Sequence, residues 1–211
     1  MDFRLYVVLD RQYLDKNPEL LIQEIIEGGC SLLQYRDKTG SKEDFSDLAG
    51  RLYRIARRRN IPFIINDRVD IAKGLGVEGV HLGKGDCPVK EARLLLGGEK
   101  IIGRSVHNLE EAKEAEKEGA DYLGIGPVFS SSTKSDNRPS ISRELLKEIA
   151  EKTKIPVVAI GGIKADNIEE LLNFGIKNFA ISADILLAPD PKKQVEIIKE
   201  KLKTRERDNE K

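Results

Sequence analysis

EGADYLGIG, residues 118–126, decides the fold. Gly119 ends a charged amphipathic run, where a residue tolerant of the left-handed conformation can close a helix. A short apolar run follows almost at once, as at the start of a buried strand. The same plan recurs in EGGCSLLQ (27–34), LGVEGVHLG (75–83) and FGIKNFAIS (174–182). The spacing, roughly 20 to 30 residues, suits a βα unit and is too irregular for a solenoid.

Working outward, eight brief runs bounded by Gly or Pro are predicted as strands: 4–10, 31–36, 62–67, 79–83, 101–107, 122–128, 156–162 and 178–183. Apolar stripes at helical spacing predict helices over 18–27, 45–59, 109–118, 145–151, 168–174 and 192–203. Shorter segments follow the third and fourth strands. This alternation predicts an α/β chain folded as a single-domain (β/α)8 TIM barrel over 1–203. A charged tail, 204–211, is expected to fray. An open doubly wound sheet is the alternative, but no GxGxxG opens a helix.

Composition narrows the function classes. Of 211 residues, 36 are Lys or Arg and 36 are Asp or Glu, so the net charge is zero and gives no basic signal for nucleic acid. Charged residues are 34% and apolar ones 39%, a compact core under a charged surface of the kind heat adaptation favours. No apolar run reaches the roughly 18 residues needed to cross a bilayer. The N-terminus does not read as a secretory signal. Cys30 and Cys87 lack paired spacing, which argues against a disulfide scaffold or zinc site. These features point to the cytoplasm.

Barrel chemistry collects at the C-terminal ends of the strands. After the second strand come Gln34, Tyr35, Arg36, Asp37 and Lys38, with Gln34, Arg36 and Lys38 on one face. Two cations at a barrel mouth require anions, either a phosphate or neighbouring carboxylates. Asn66 and Asp67 end the third strand, and Asp86 follows the fourth. The two acids could share Mg²⁺, which takes few protein carboxylates besides water and phosphate oxygens. Helix capping is the other reading, clearest for Asp86 before Cys87 and Pro88. Ser105 and His107 share a face at the end of the fifth strand; His107, like His81, reads as structural. A hydroxyl-rich loop, Ser130, Ser131, Ser132 and Thr133 with Lys134, could wrap an anion. Gly161 and Gly162 allow backbone N–H groups to approach a phosphate. Together these residues suggest one mouth for two phosphorylated ligands and a divalent cation.

The same residues carry a family resemblance along nearly the whole chain. Gln34-Tyr35-Arg36-Asp37-Lys38, Asn66-Asp67, Gly79-Val80-His81-Leu82-Gly83 with Asp86, and Ser105 with His107 resemble thiamine phosphate synthase. So do Gly124-Ile125-Gly126-Pro127-Val128-Phe129, Thr133-Lys134 and Ile160-Gly161-Gly162-Ile163. The resemblance implies that hydroxymethylpyrimidine diphosphate and thiazole phosphate are joined, giving thiamine phosphate and pyrophosphate. It implies that Gln34, Tyr35, Arg36, Asp37, Lys38, Asn66, Ser105 and Lys134 hold the pyrimidine diphosphate. Arg36, Lys38, Lys134 and Ser105 would then carry catalysis, with Mg²⁺ on Asp67 and Asp86. Ser131, Ser132, Thr133, Gly161, Gly162, Ser182 and Ala183 would hold the thiazole phosphate. The partners implied are small phosphorylated molecules, with no nucleic acid and no membrane; a homo-oligomer is left open.

Two departures stand out. Lys84 replaces a usual Gln. At the eighth strand Ser182-Ala183 is followed by Asp184, which reads as a helix cap rather than a phosphate neighbour. Gly103-Arg104-Ser105-Val106-His107 resembles the related thiazole tautomerase, but Pro127 stands where that branch has His. Gln34, Asp67 and Asp86 also follow the synthase pattern. A non-catalytic ligand-binding barrel is the third reading.

Overall fold

A computed structural model describes residues 1–14, 17–130 and 140–209, with side chains to 203. Eight parallel strands close into a barrel in sequence order. They are β1 (Leu5–Asp10), β2 (Leu32–Arg36), β3 (Phe63–Asn66), β4 (Gly79–Leu82), β5 (Ile101–Val106), β6 (Tyr122–Ile125), β7 (Val157–Ile160) and β8 (Phe179–Ile181). The barrel closes where β1 pairs β8, Leu5 opposite Phe179 and Val7 opposite Ile181. The (β/α)8 barrel expected from the sequence is the fold observed.

Around it lie α1 (Pro18–Gly28), α2 (Lys42–Arg58), α3 (Val69–Leu75), α4 (Val89–Leu96) and α5 (Leu109–Lys117). The ring continues with α6 (Arg143–Lys152), α7 (Ile168–Asn173), α8 (Ala183–Leu186) and α9 (Pro191–Asn209). Local signals set the helix starts. The Asn17, Ser41, Asn108 and Ser142 side chains each accept an N–H from the first turn, a cap worth about 1 kcal/mol. Gly29 closes α1 in the left-handed region at φ 96°. On the next face, a Cβ at Gly28 would press within 2.7 Å of Val195, so α1 and α9 pack in close contact.

Strand alternation divides the apolar residues into two layers. Odd-numbered β1 residues Leu5, Val7 and Leu9 join the large core between strands and helices. Tyr6 and Val8 face inward, with Leu32, Ile64, Tyr122, Val158 and Ala180, and fill the barrel. The inward parity continues upward into polar residues. Asp10, Gln34 and Asn66 are buried polar side chains that cap this inner layer, whereas Asp37, also buried, lies on the opposite face with Tyr35.

Candidate active site

The mouth is built from the next inward positions of each strand. On β1 and β2, Arg36 pairs with Asp10. Just beyond β2, Lys38 pairs with Asp67. Both cations therefore have carboxylate partners, the second of the two readings open for them. Asp67 sits at φ 63°, a left-handed conformation that Asp tolerates better than most side chains. Its N–H donates to the His81 carbonyl across the strand gap, 2.8 Å.

Asp67 and Asp86 meet. Burial pushes the Asp67 carboxyl up to about 6, helped by its hydrogen bond with Asp86 and opposed by Lys38. Burial would also raise Asp86. Hydrogen bonds from Asp67 and the Gly83 N–H, with the charges of Lys38 and Arg104, outweigh it and hold Asp86 below the ordinary carboxylate range. One carboxyl of the pair thus takes up a proton readily, a sign of two acids competing for positive charge. Among the described residues no three His, Cys, Asp or Glu side chains gather into a metal cluster. Mg²⁺ needs only one or two carboxylates when phosphate and water complete its shell, and this pair fits that demand. The capping alternative fails for Asp86: Pro88 precedes α4, and the Asp86 carboxylate accepts the Gly83 N–H at 2.6 Å.

Below this charged rim runs a continuous polar line. Gln34 Nε2 donates to Asn66 Oδ1 at 3.1 Å, and Gln34 Oε1 accepts from the Tyr6 hydroxyl. The Tyr6 and Tyr122 hydroxyls are 3.0 Å apart. His81 Nδ1 lies 2.8 Å from the Tyr122 hydroxyl, and His81 Nε2 lies 2.8 Å from Ser105 Oγ. Burial lowers the imidazole to about 4, so His81 is neutral at pH 7. Two glycines make room. A Cβ at Gly103 would strike the Tyr122 ring, and one at Gly124 would come within 2.8 Å of His81 Cε1. Tyr6 and Tyr122 went unnoticed in the sequence, and Gly103 and Gly124 were read only as parts of longer motifs. The inward parity of β1 and β6 was the available signal.

Several expected contacts lie elsewhere. Tyr35 points outward, fully buried against Phe45 with ring centroids 4.7 Å apart. Asp37 accepts the Thr39 and Gly40 N–H groups, 2.8 and 2.9 Å, and closes the turn after β2. Opposite parity and a saturated carboxylate keep both out of the mouth. His107 has the structural role expected, its N–H and Nδ1 both on Glu111, 2.9 and 3.2 Å. Lys84 also turns to Glu111, 2.9 Å. Arg104 donates to the Gly83 carbonyl at 2.8 Å.

At the other side of the mouth, Gly161 and Gly162 take φ 98° and 66°. A Cβ on either would press within 2.6 Å of Pro127 or 2.7 Å of Phe129, so packing as well as conformation demands glycine. Ser182 Oγ donates to the Val8 carbonyl at 2.8 Å, and Ala183 opens α8. Asp184 does not cap its own helix. Its carboxylate accepts the Ala165 N–H at 3.0 Å and Gln194 Nε2 at 2.7 Å, tying the turn after β7 to α9. Ser131, Ser132, Thr133 and Lys134 lie outside the described residues.

Comparison with known proteins now bears on this arrangement. The profile of the thiamine monophosphate synthase family matches residues 5–185. The chain belongs to the thiamine monophosphate synthase family. A thiamine-phosphate synthase from Ruminiclostridium cellulolyticum is 43% identical over 197 residues, 93% of each chain. One from Halalkalibacterium halodurans is 40% identical over the same share of each chain. A solved thiamine phosphate pyrophosphorylase from Pyrococcus furiosus superposes with a TM-score of 0.86 at 36% identity, covering 96% of each chain. Membership of the thiamine monophosphate synthase family spans both the acidic pair and the glycine turn. Neither the tautomerase nor the binding-only reading is favoured by these relatives. Among the described residues, no helix is long and apolar enough to cross a membrane.

Proposed function

We propose that the protein condenses 4-amino-5-hydroxymethyl-2-methylpyrimidine diphosphate with 4-methyl-5-(2-phosphooxyethyl)thiazole, releasing pyrophosphate. The observation that carries this reading is the Asp67–Asp86 pair at the mouth, flanked by Arg36 at the end of β2 and Lys38 just beyond it. A departing pyrophosphate needs its developing negative charge met by fixed cations in a water-poor site. Mg²⁺, held by Asp67 and Asp86, would supply Lewis-acid stabilisation of that charge. Arg36 and Lys38 already face carboxylates. They would exchange these for phosphate oxygens when the diphosphate enters, joined by Lys134. Asn66 and Ser105 would orient the aminopyrimidine ring, with Gln34 bracing Asn66. The electron-rich ring would stabilise the cation left by bond breaking, so no covalent nucleophile is needed. The thiazole nitrogen then attacks. Gly161 and Gly162, with Ser182, Ala183, Ser131, Ser132 and Thr133, would hold the thiazole phosphate at the opposite side. The chain's tasks are positioning and electrostatics.

The test is turnover of both substrates with Mg²⁺ against EDTA, following thiamine phosphate and pyrophosphate. Asp67→Ala and Asp86→Ala should each cut Mg²⁺-dependent kcat at least tenfold. Full activity in either variant would remove that residue from the metal site. Absence of product in the parent protein would overturn the reaction.

A further inference from the structure

We propose that Arg143 on α6 is a positioning residue. Its guanidinium is a strut that holds the segment Pro127–Phe129 against the glycine turn after β7, and so fixes that turn for its ligand. This role rests on the proposed reaction for the ligand, and on contacts alone for the strut.

Arg143 does not suit its own helix. It is the first residue of α6, directly after the Ser142 cap. A helix N-terminus carries partial positive charge and disfavours a cation. By contrast α2, α5 and α7 each place two acids in the first turn. The guanidinium turns back off α6 and contacts two other elements. Nη1 donates to the Val128 carbonyl. The group lies over the Phe129 ring, 4.2 Å from its centroid, within cation–π range. Nε donates at 2.7 Å to Glu170, in the first turn of α7. Only 17% of the Arg143 side chain is exposed, so water competes little for these contacts. A local preference is broken here in favour of distant contacts, the pattern expected where a site is being held.

The segment so held is one wall of the glycine turn. Val128 and Phe129 donate their N–H groups to the Ile160 and Gly161 carbonyls, 3.0 and 3.1 Å, beyond the end of the β6–β7 ladder. A Cβ at Gly161 would meet Pro127 at 2.6 Å, and one at Gly162 would meet Phe129 at 2.7 Å. On its other side the turn is tied to α7, where Asn167 Nδ2 donates to the Gly162 carbonyl at 2.9 Å. Arg143 closes the ring, from Val128 and Phe129 across to Glu170 on the same helix. Two successive glycines at positive φ have no side chains of their own to fix them. The ring supplies the rigidity they lack. Backbone donors held in place meet an oxyanion without rearrangement, whereas a loosened turn loses binding energy to its own ordering.

The experiment uses the full chain, Arg143→Met and two readouts. Met keeps the stem and removes the fork. In amide hydrogen exchange well below Tm, Val128 and Phe129 should exchange at least about tenfold faster than in the parent. Leu123, bonded to the Pro156 carbonyl at 2.9 Å in β6, should keep its rate. In turnover, KM for the thiazole phosphate should rise about tenfold, the worth of one charged hydrogen bond, and at least about threefold more than KM for the pyrimidine diphosphate. Arg93→Met is the structural control. Arg93 ties the Gly97, Gly98 and Gly119 carbonyls and Asp121 at the N-terminal ends of the strands, so its loss should lower Tm and leave both KM values as they are. Glu170→Leu should raise KM for the thiazole phosphate less than Arg143→Met does, and add nothing to it in the double variant. Phe129→Leu, which removes the stacked ring, should reproduce the exchange pattern and serves if Arg143→Met does not fold. Unchanged exchange at Val128 and Phe129, equal acceleration at Leu123, or a KM for the thiazole phosphate that does not rise preferentially would overturn the strut. If the parent makes no thiamine phosphate, the reaction fails while the exchange rates still decide the strut.

Discussion

Gly103→Ala tests whether the barrel interior is built around Tyr122. The added methyl would overlap ring carbon Cζ and the hydroxyl of a side chain with no exposed surface. Ordinary contact begins near 3.4 Å, so the ring would have to retreat by about 1 Å or more. It has little room: Phe3 stacks on it at 4.6 Å and Tyr6 meets it edge-on at 6.0 Å. Overpacking of this kind costs about 1–3 kcal/mol. Pulling the hydroxyl off Tyr6 and His81 strands buried polar groups at a further cost of about 1–3 kcal/mol. A combined loss of about 2–6 kcal/mol would lower Tm by about 4–24 °C for a chain of this size. Thermal unfolding by circular dichroism measures it. Gly98→Ala is the control, since a Cβ there meets nothing within 4 Å, and its Tm should stay level or rise slightly. Gly103→Ala combined with Tyr122→Leu should cost clearly less than the sum of the single changes, because the clash partner is gone. A Tm within 2 °C of the parent for Gly103→Ala (a limit of about 1 kcal/mol) would refute the reasoning, as would strict additivity in the pair.

Asp37→Asn should destabilise the chain at pH 7 by about 1–3 kcal/mol, because the turn after β2 hangs on this carboxylate. Burial works to raise its carboxyl, but the Thr39 and Gly40 N–H groups and the hydroxyls of Thr39 and Tyr35 hold it below the usual range. A lowered folded pKa adds stability above the unfolded value and loses it as pH falls through the folded one. The gap between parent and variant in urea unfolding should therefore narrow below about pH 4; a gap constant down to acid would reject the assignment. Asp184→Ala should weaken thiazole phosphate binding several-fold by calorimetry, since it frees the turn after β7 from Gln194. Unchanged or tighter binding would mean the tie has no bearing on the site.

The barrel was legible because a glycine stop followed by a short apolar run recurs in four of the βα units. Strand ends were less legible. The sixth strand reads on to 128 as an apolar run, yet Gly126 and Pro127 leave the ladder and β6 ends at Ile125. Four-residue α8 carries too little sequence to show a period. The charged rim was visible as residue types at strand ends, but its pairing was not. Asp10 answers Arg36 directly across the β1–β2 pairing, and that register is not displayed by the sequence. Asp184 and Asp86 look like helix caps in sequence, but Asp184 accepts the Ala165 N–H of the turn after β7, and Asp86 accepts the Gly83 N–H behind it in its own turn instead of one from α4. Tyr35 and Asp37 were swept into the mouth by adjacency to Gln34 and Arg36, although alternation sends Tyr35 to the helix side.

Barrel closure has a consequence for how the chain is made. β1 emerges first but finds its second neighbour only when β8 has been synthesised, and the Ser182–Val8 hydrogen bond beside the glycine turn spans the same seam. Until then both edges of the growing sheet are open, and a pairing so distant in sequence carries a large closure entropy. A chain stalled before residue 179 would hold the residues proposed for the diphosphate yet lack the seam beside those proposed for the thiazole phosphate. Assembly of the second half of the site thus coincides with the last event of folding, and partly made chains are barred from two-substrate chemistry by topology alone.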